Sequence, residues 1–330
     1  MSVGRGSRIA GTGSHVPERV LTNRELEQMV DTSDQWITER TGIKERRVAS
    51  AEEASSDLAL EASRQALAAA GLGATELDMI VVGTITPDMQ LPACAAVLHK
   101  KLGAKDIPAF DVSAACAGFI YSLSIADQFI RTGLCSSVLV VGVEMLSKVT
   151  NWQDRNTCVL FGDGAGAVVL VPAEDGSGRV LSSKLYTDSS QVDSLCIPAG
   201  GSREPLTVAS LQAQRNKVHM VGSDVFKVAV RNLTSASRSA LAEAALGPQD
   251  VDWVVPHQAN LRIINQVAQR LKIPLERFIL NIDRYGNTSS ASIPLALDEG
   301  VRDGRIRRGH TVLMCALGAG FSWASALVRM

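Results

Sequence analysis

Apolar residues fall into two alternating patterns along the chain. In residues 56–70 and 225–245 they recur at three- and four-residue steps in Ala-rich stretches, which predicts helices. The runs VVGTI (81–85), VLVVGV (138–143), WVVP (253–256) and TVLMCAL (311–317) lack polar alternation, which predicts strands buried on both faces. Helices alternating with such strands imply a layered α/β protein.

The pattern repeats. Leu72-Gly73 and Leu77-Asp78 lead into a strand at 79–83, and Leu246-Gly247 and Val251-Asp252 lead into one at 253–256. In both copies the glycine reads as the C-cap of the preceding helix. Gly133 before 137–142 and Gly309 before 311–317 continue the echo, and each half closes with a Gly-rich turn and an apolar strand, FGDGAGAVVL (161–170) and LGAGFSWASALV (317–328). Repeats in one order imply duplication, with an N-terminal half at 1–174 and a C-terminal half at 175–330 that meet in the polar, Gly-rich stretch 174–178. Residues 188–214 show no periodicity and are expected to be loop or insertion.

Composition narrows the class. The 46% apolar and 20% charged content of these 330 residues is that of an ordinary globular protein. With 4% aromatics, the core must pack small side chains tightly. Net charge is -1 and no block of like charge suggests a nucleic-acid or membrane arm, although a folded basic patch for an acidic protein partner is compatible with it. Six cysteines without a C-x-x-C spacing suit a reducing cytosol. No apolar run approaches the roughly 18 residues of a membrane helix, and the N-terminus lacks a signal-peptide core. The expectation is a cytoplasmic protein with no membrane insertion.

Candidate chemistry centres on Cys116. It lies between an expected strand end at Asp111 and an apolar helix, and small neighbours (Ala114, Ala115, Ala117, Gly118) leave room for a substrate carbonyl. A thiol at a helix start is expected to favour thiolate; the other cysteines lack this setting and read as buried small hydrophobes. Among five histidines only His257 ends a buried strand, and strand ends are where α/β folds assemble sites. Asn287 precedes an expected helix at 293–301, where turn and cap chemistry is the competing explanation. Gly318-Ala319-Gly320 is a tight turn whose backbone N–H groups are a candidate oxyanion hole.

Together VSAACAGF (112–119), PHQAN (256–260), YGNTS (285–289), FGDGAGA (161–167) and LGAGFSWASALVR (317–329) closely resemble the β-ketoacyl-acyl carrier protein synthase III family of bacterial fatty-acid synthesis, with the match running from about residue 7 to 330. The resemblance implies a five-layered α-β-α-β-α thiolase fold with pseudo-twofold halves. It implies a Cys116-His257-Asn287 triad, with the backbone N–H groups of Cys116 and Ala319 as oxyanion hole. It further implies acyl transfer from acyl-CoA to Cys116, then decarboxylative condensation with malonyl-acyl carrier protein, with no metal or other cofactor.

By the same resemblance Trp36 and Arg155 sandwich the adenine of coenzyme A. Thr32, Arg40, Gly222, Phe226 and Asn260 line its channel, and Lys227, Arg262 and Arg270 form a basic face for the carrier protein. A homodimer is implied too. Leu91 stands where well-known members place a Phe that reaches the partner's acyl pocket, and Leu317 and Ala319 stand where Phe and Gly are common, so the primer preference is open. Two other readings remain: a related condensing or acyl-transfer enzyme of quinolone, polyketide or long-chain hydrocarbon synthesis, and a non-catalytic thiolase-fold partner subunit.

Overall fold

The computed structural model describes residues 6–174 and 178–330, so most of the expected junction at 174–178 lies outside the described residues. In the first half the strands are β1 (Ser7–His15), β2 (Val20–Thr22), β3 (Glu45–Arg47), β4 (Met79–Gly83), β5 (Ala109–Val112), β6 (Val138–Met145) and β7 (Asp163–Pro172). In the second they are β8 (Arg179–Thr187), β9 (Leu195–Cys196), β10 (His219–Met220), β11 (Trp253–Pro256), β12 (Thr311–Gly318) and β13 (Ser322–Arg329).

Two mixed sheets carry the fold, one ordered β1-β7-β6-β4-β5 and the other β11-β12-β13-β8. Reversing the second aligns them: β8 with β1, β13 with β7, β12 with β6 and β11 with β4. Pairing senses agree too, since β4–β6 and β11–β12 are parallel while β6–β7 and β12–β13 are antiparallel. The first sheet's fifth strand survives in the second as a single parallel bridge from Val254 to Phe278. Every residue of β6 and β12 is buried, as their unbroken apolar runs predict.

Five layers follow. Helices Ser55–Ala70 and Cys94–Leu102 cover the outer face of the first sheet. Helices Gly222–Glu243 and Leu261–Leu271 cover that of the second. Between the sheets lie the helices Gly118–Arg131 and Ser292–Arg302, which belong to one shared core. Packing is close because small residues meet: a Cβ on Gly11 or Gly13 would stand 2.3 Å from the Ala66 or Ala62 carbonyl oxygen.

The two central helices are built alike. Each buries a carboxylate bonded to β1 and to an arginine four residues on. Asp127 accepts from Ser7 Oγ at 2.7 Å and Arg131 Nε at 2.6 Å, and Asp298 accepts from Thr12 Oγ1 and Arg302 Nε at 2.7 Å each. Each also follows a 3-10 turn, Ala115–Ala117 or Ser289–Ala291, whose first residue has positive φ (Ala115 45°, Ser289 49°). Cys116 and Ser290 are therefore equivalent positions of the duplication.

One expectation is corrected. Gly73 and Gly247 do not cap the preceding helices, which end at Ala70 and Glu243 and are capped by Gly71 and Ala244. Each instead opens a 3-10 turn by donating its N–H to an acid three residues on, Glu76 or Asp250, at 2.7 Å. The repeated Leu-Gly pair was real, but its glycine serves the next turn. Residues 188–214 hold the 3-10 segment Ser189–Ser194, short β9 and the helix Val208–Gln212, with connecting loop elsewhere.

The seam between halves yields a stability test. A Cβ on Gly166 of β7 would meet backbone atoms of the central helix, Pro294 C and Leu295 N, at 2.6 Å, whereas one on Gly201 meets nothing within 4 Å. Urea unfolding should show Gly166→Ala losing about 1–3 kcal/mol and Gly201→Ala staying within about 0.5 kcal/mol of the parent. Equal midpoints would refute this packing.

Candidate active site

Cys116 sits in the turn after β5, and that turn is clamped on two sides. A Cβ on Gly83, at the end of β4, would come within 2.7 Å of the Gly118 carbonyl carbon, and one on Gly318, at the end of β12, within 2.4 Å of Cys116 N. Only glycine allows either approach. The second contact brings Gly318, the neighbour of Ala319, onto the backbone of Cys116.

The expected activation of the thiol by a helix start is corrected. Cys116 lies in the 3-10 turn, one residue before the N-cap Ala117. The residue keeps some contact with solvent, yet its sulfur is ringed by protein, and that burial pushes the thiol up to about 12 against a hydrogen bond from Ser289. Cys94 heads a helix too, but after a loop and not a strand; it is fully buried, its N–H bonds Asp111, and burial holds its thiol protonated.

Asn287 is placed by pairing between the halves. The FGDG segment meets YGNTS in a parallel bridge between Phe161 and Asn287, with Asn287 N donating to Leu160 O at 2.8 Å and Gly162 N donating to Asn287 O at 3.0 Å. Its Oδ1 accepts from Ser289 N at 2.8 Å. That bond fixes the amide orientation and leaves Nδ2 as the donor end. Asn287 is not the cap of the central helix, whose N-cap is Ala291.

His257 follows β11 and is anchored by its own N–H to Cys315 O at 2.8 Å. The next residues of that neighbouring strand lead to Gly318 against Cys116. The imidazole is buried, its Nδ1 has no hydrogen-bond partner, and desolvation pulls its pKa down to about 3. The ring is therefore neutral at physiological pH, a hydrogen-bond donor and not a cation. With Leu317, Val225, Ala259 and Cys315 it lines an apolar cavity of about 30 Å³.

Two polar residues escaped sequence reasoning. Glu144, in the otherwise apolar β6, is completely buried and accepts from Thr86 Oγ1 at 2.7 Å and Ser289 Oγ at 3.1 Å. Ser289 thus touches Cys116, Asn287 and Glu144 at once. A lone acid inside a doubly buried strand was the available signal. Among the described residues no cluster of His, Cys, Asp and Glu could hold a metal ion, and no helix is long and apolar enough to cross a membrane.

The site's parts come from both halves, and so do the matches to known proteins. Residues 110–189 match the model for 3-oxoacyl-[acyl-carrier-protein] synthase III, and residues 241–330 match the model for its C-terminal part. A β-ketoacyl-[acyl-carrier-protein] synthase III from Caldanaerobacter subterraneus is 51% identical over 97% of both chains, and one from Xanthomonas campestris is 51% identical over 98% of both. The chain belongs to the 3-oxoacyl-[acyl-carrier-protein] synthase III family. The Aquifex aeolicus synthase III structure superposes with a TM-score of 0.91 at 46% identity, covering 98% of this chain and 100% of that one. A priming β-ketosynthase of the R1128 polyketide pathway gives 0.92 at 38%, covering 99% and 97%. This synthase III family member is accordingly a condensing acyltransferase with the thiolase fold.

The remaining expected residues form two groups. Around the helix Asp34–Thr41, the Arg155 guanidinium lies 5.0 Å and that of Arg40 4.7 Å from the Trp36 ring centre, while Asn260 Nδ2 donates to Arg40 O at 3.0 Å. Arg155 also donates to Asp31 O at 2.7 Å, and Thr32 Oγ1 is buried without a partner. Trp36 and Arg155 are therefore in cation–π contact with each other. Beside them, Arg262 lies over the Phe226 ring at 5.7 Å, and Gly222 opens the helix that carries Phe226 and Lys227. Lys227, Arg262 and Arg270 are exposed on two helices packed side by side. Leu317 lines the cavity, but Leu91 stands apart at 85% exposure.

Neutral His257 carries a stability signature. Its folded pKa lies below its unfolded value, so the unfolded chain binds the extra proton and stability falls as pH drops from 6.5 towards 3. His257→Gln should flatten that acid limb by up to about 1.4 kcal/mol per pH unit; denaturant titrations with parallel slopes for both proteins would contradict a buried neutral ring.

Proposed function

We propose that this chain catalyses the priming condensation of fatty-acid synthesis: an acyl-CoA primer and malonyl-acyl carrier protein give 3-oxoacyl-acyl carrier protein, carbon dioxide and free coenzyme A. The observation that carries the reading is the contact of Gly318 with Cys116 N, which presses β12 onto the Cys116 backbone beside the turn whose Ser289 N orients the Asn287 amide. Cys116 attacks the acyl thioester, and the N–H groups of Cys116 and Ala319 hold the oxyanion. Malonyl thioester then loses carbon dioxide, and the negative charge that gathers on its thioester oxygen meets two neutral donors, the His257 ring N–H and Asn287 Nδ2. Neutral donors suit this step because a buried imidazolium would cost desolvation energy throughout the cycle. The chemistry needs no cofactor; acyl-CoA is a substrate.

Thr32, Trp36, Arg40, Arg155, Gly222, Phe226 and Asn260 are the proposed coenzyme A channel, and Lys227, Arg262 and Arg270 the carrier-protein face. Leu91 and Leu317 shape the acyl pocket, Leu91 from the second copy of a homodimer. Two features support that dimer: Leu91 and Met89 are exposed (85% and 49%), and β5 leaves one edge of its sheet open. The halves divide at 174/175. Six free thiols accord with a reducing, cytoplasmic setting. The intact Cys-His-Asn set counts against a non-catalytic partner subunit, and the 51% identity to synthases III counts against a secondary-metabolic relative.

Intact-mass spectrometry after incubation with a ladder of acyl-CoAs should show one acyl adduct on the protein and none on Cys116→Ser; an unmodified wild type would overturn the reading. Trp36→Ala should raise KM for acyl-CoA about two- to thirtyfold, the loss of a stacking contact worth roughly 0.5–2 kcal/mol, with kcat nearly unchanged. A fall in kcat at constant KM would remove Trp36 from the nucleotide site.

A further inference from the structure

Glu144 is a fully buried acid with no cation beside it, which demands an account. The elements that face it are the end of β4 and the following loop, which supply Thr84, Ile85 and Thr86, and the turn Ser289–Ala291, which supplies Ser289 and Ser290. The other titratable groups nearby are Cys116 and Cys94, which both feel its charge, and Asp163 of the adjoining β7, whose carboxylate is occupied by Ala49 N and Ser147. Burial raises the Glu144 carboxyl to about 7, so both protonation states are accessible at neutral pH.

The hydroxyl hydrogens around Glu144 are few enough to count. Ser290 Oγ has one hydrogen for two acceptors, Gly83 O at 2.7 Å and Glu144 Oε1 at 3.2 Å, and the shorter bond to Gly83 takes most of it. Ser289 Oγ has one hydrogen, which it gives to Glu144 Oε1 at 3.1 Å, and its hydroxyl also lies near enough to Cys116 to lower the thiol. When Glu144 is ionised it takes that hydrogen, and Ser289 is left to accept from the thiol. When Glu144 is protonated it can donate to Ser290, and the Ser289 hydrogen turns to the sulfur and stabilises thiolate. Removing the Glu144 charge acts in the same direction, because that charge raises the Cys116 thiol.

We propose that Glu144 accepts the Cys116 proton through Ser289 and stores it during the acyl-enzyme stage. The inference rests on the reading of Cys116 as nucleophile. In the first half-reaction the S–H bond breaks, Ser289 Oγ gains that hydrogen and passes its own to Glu144, the sulfur bonds the acyl carbon, and coenzyme A leaves as thiolate to be protonated by water. In the second, the enolate carbon displaces the Cys116 thiolate, which recovers the proton from Glu144 through Ser289. Neutral His257 need not serve as base.

The test is rapid-quench acylation of Cys116 by acetyl-CoA across pH, read by intact mass, for wild type, Glu144→Gln and Ser289→Ala. The wild-type rate should rise with pH through an inflection near neutrality. Both variants should lose that inflection and acylate at least about a hundredfold more slowly above it, the lower end of a general-base contribution. Either variant retaining the inflection with a rate within about twofold of wild type would overturn the relay. A merely structural Glu144 would slow the reaction without removing the inflection, and that result also overturns it. Should Glu144→Gln fail to fold, Ser289→Ala decides alone. Absence of any wild-type adduct would instead remove Cys116 as nucleophile, and the relay with it.

Discussion

The turns 115–117 and 289–291 lie back to back at the seam between the halves, and strand ends press on them so closely that water has little room there. A side chain at Gly83, Gly142 or Gly318 would collide with backbone of one turn or of the helix behind it. The resulting low dielectric strengthens every hydrogen bond in the cluster and penalises every charge. It holds the Cys116 thiol protonated, the His257 ring neutral and the Glu144 carboxyl near the middle of its titration. Site chemistry thus follows from packing: where water is excluded, polar groups must find one another.

Duplication explains how one fold reaches that state. Each half leads through a 3-10 turn with a positive-φ residue into a central helix with a buried aspartate. The two copies have diverged in cargo. One turn presents Cys116, and the equivalent Ser290 binds Gly83 O and Glu144. A repeated scaffold keeps the backbone arrangement while each copy's side chains specialise, which is why neither half contains a complete site.

Much of this was legible in the sequence, for identifiable reasons. Doubly buried strands read as unbroken apolar runs, so β12 was placed within one residue and β6 fell short by two or three at its C-terminal end, where Glu144 interrupts the apolar run. The helix at 55–70 followed from its period. Gly73 and Gly247 were misread because a glycine after a helix fits both a C-cap and the opening of a 3-10 turn, and only the hydrogen bond to Glu76 or Asp250 separates them. Cys116, His257 and Asn287 were found through motif likeness, while their electrostatics were not. Helix-start reasoning suggested an acidified thiol, and burial, a tertiary property, reversed the direction. Ser289 and Glu144 stayed hidden because their partners lie far away in sequence. The cation–π contact of Trp36 with Arg155 likewise joins distant segments.

The central claim is that the resting Cys116 thiol and His257 ring are both uncharged because burial keeps them dry. It is tested most directly by recording His257 ring-nitrogen shifts by NMR across the neutral pH range, alongside the ultraviolet thiolate difference between wild type and Cys116→Ser. The account predicts a neutral imidazole throughout and no thiolate signal at neutral pH. An imidazolium resonance accompanied by thiolate absorbance would mean that the resting site is an ion pair, and the account would fail.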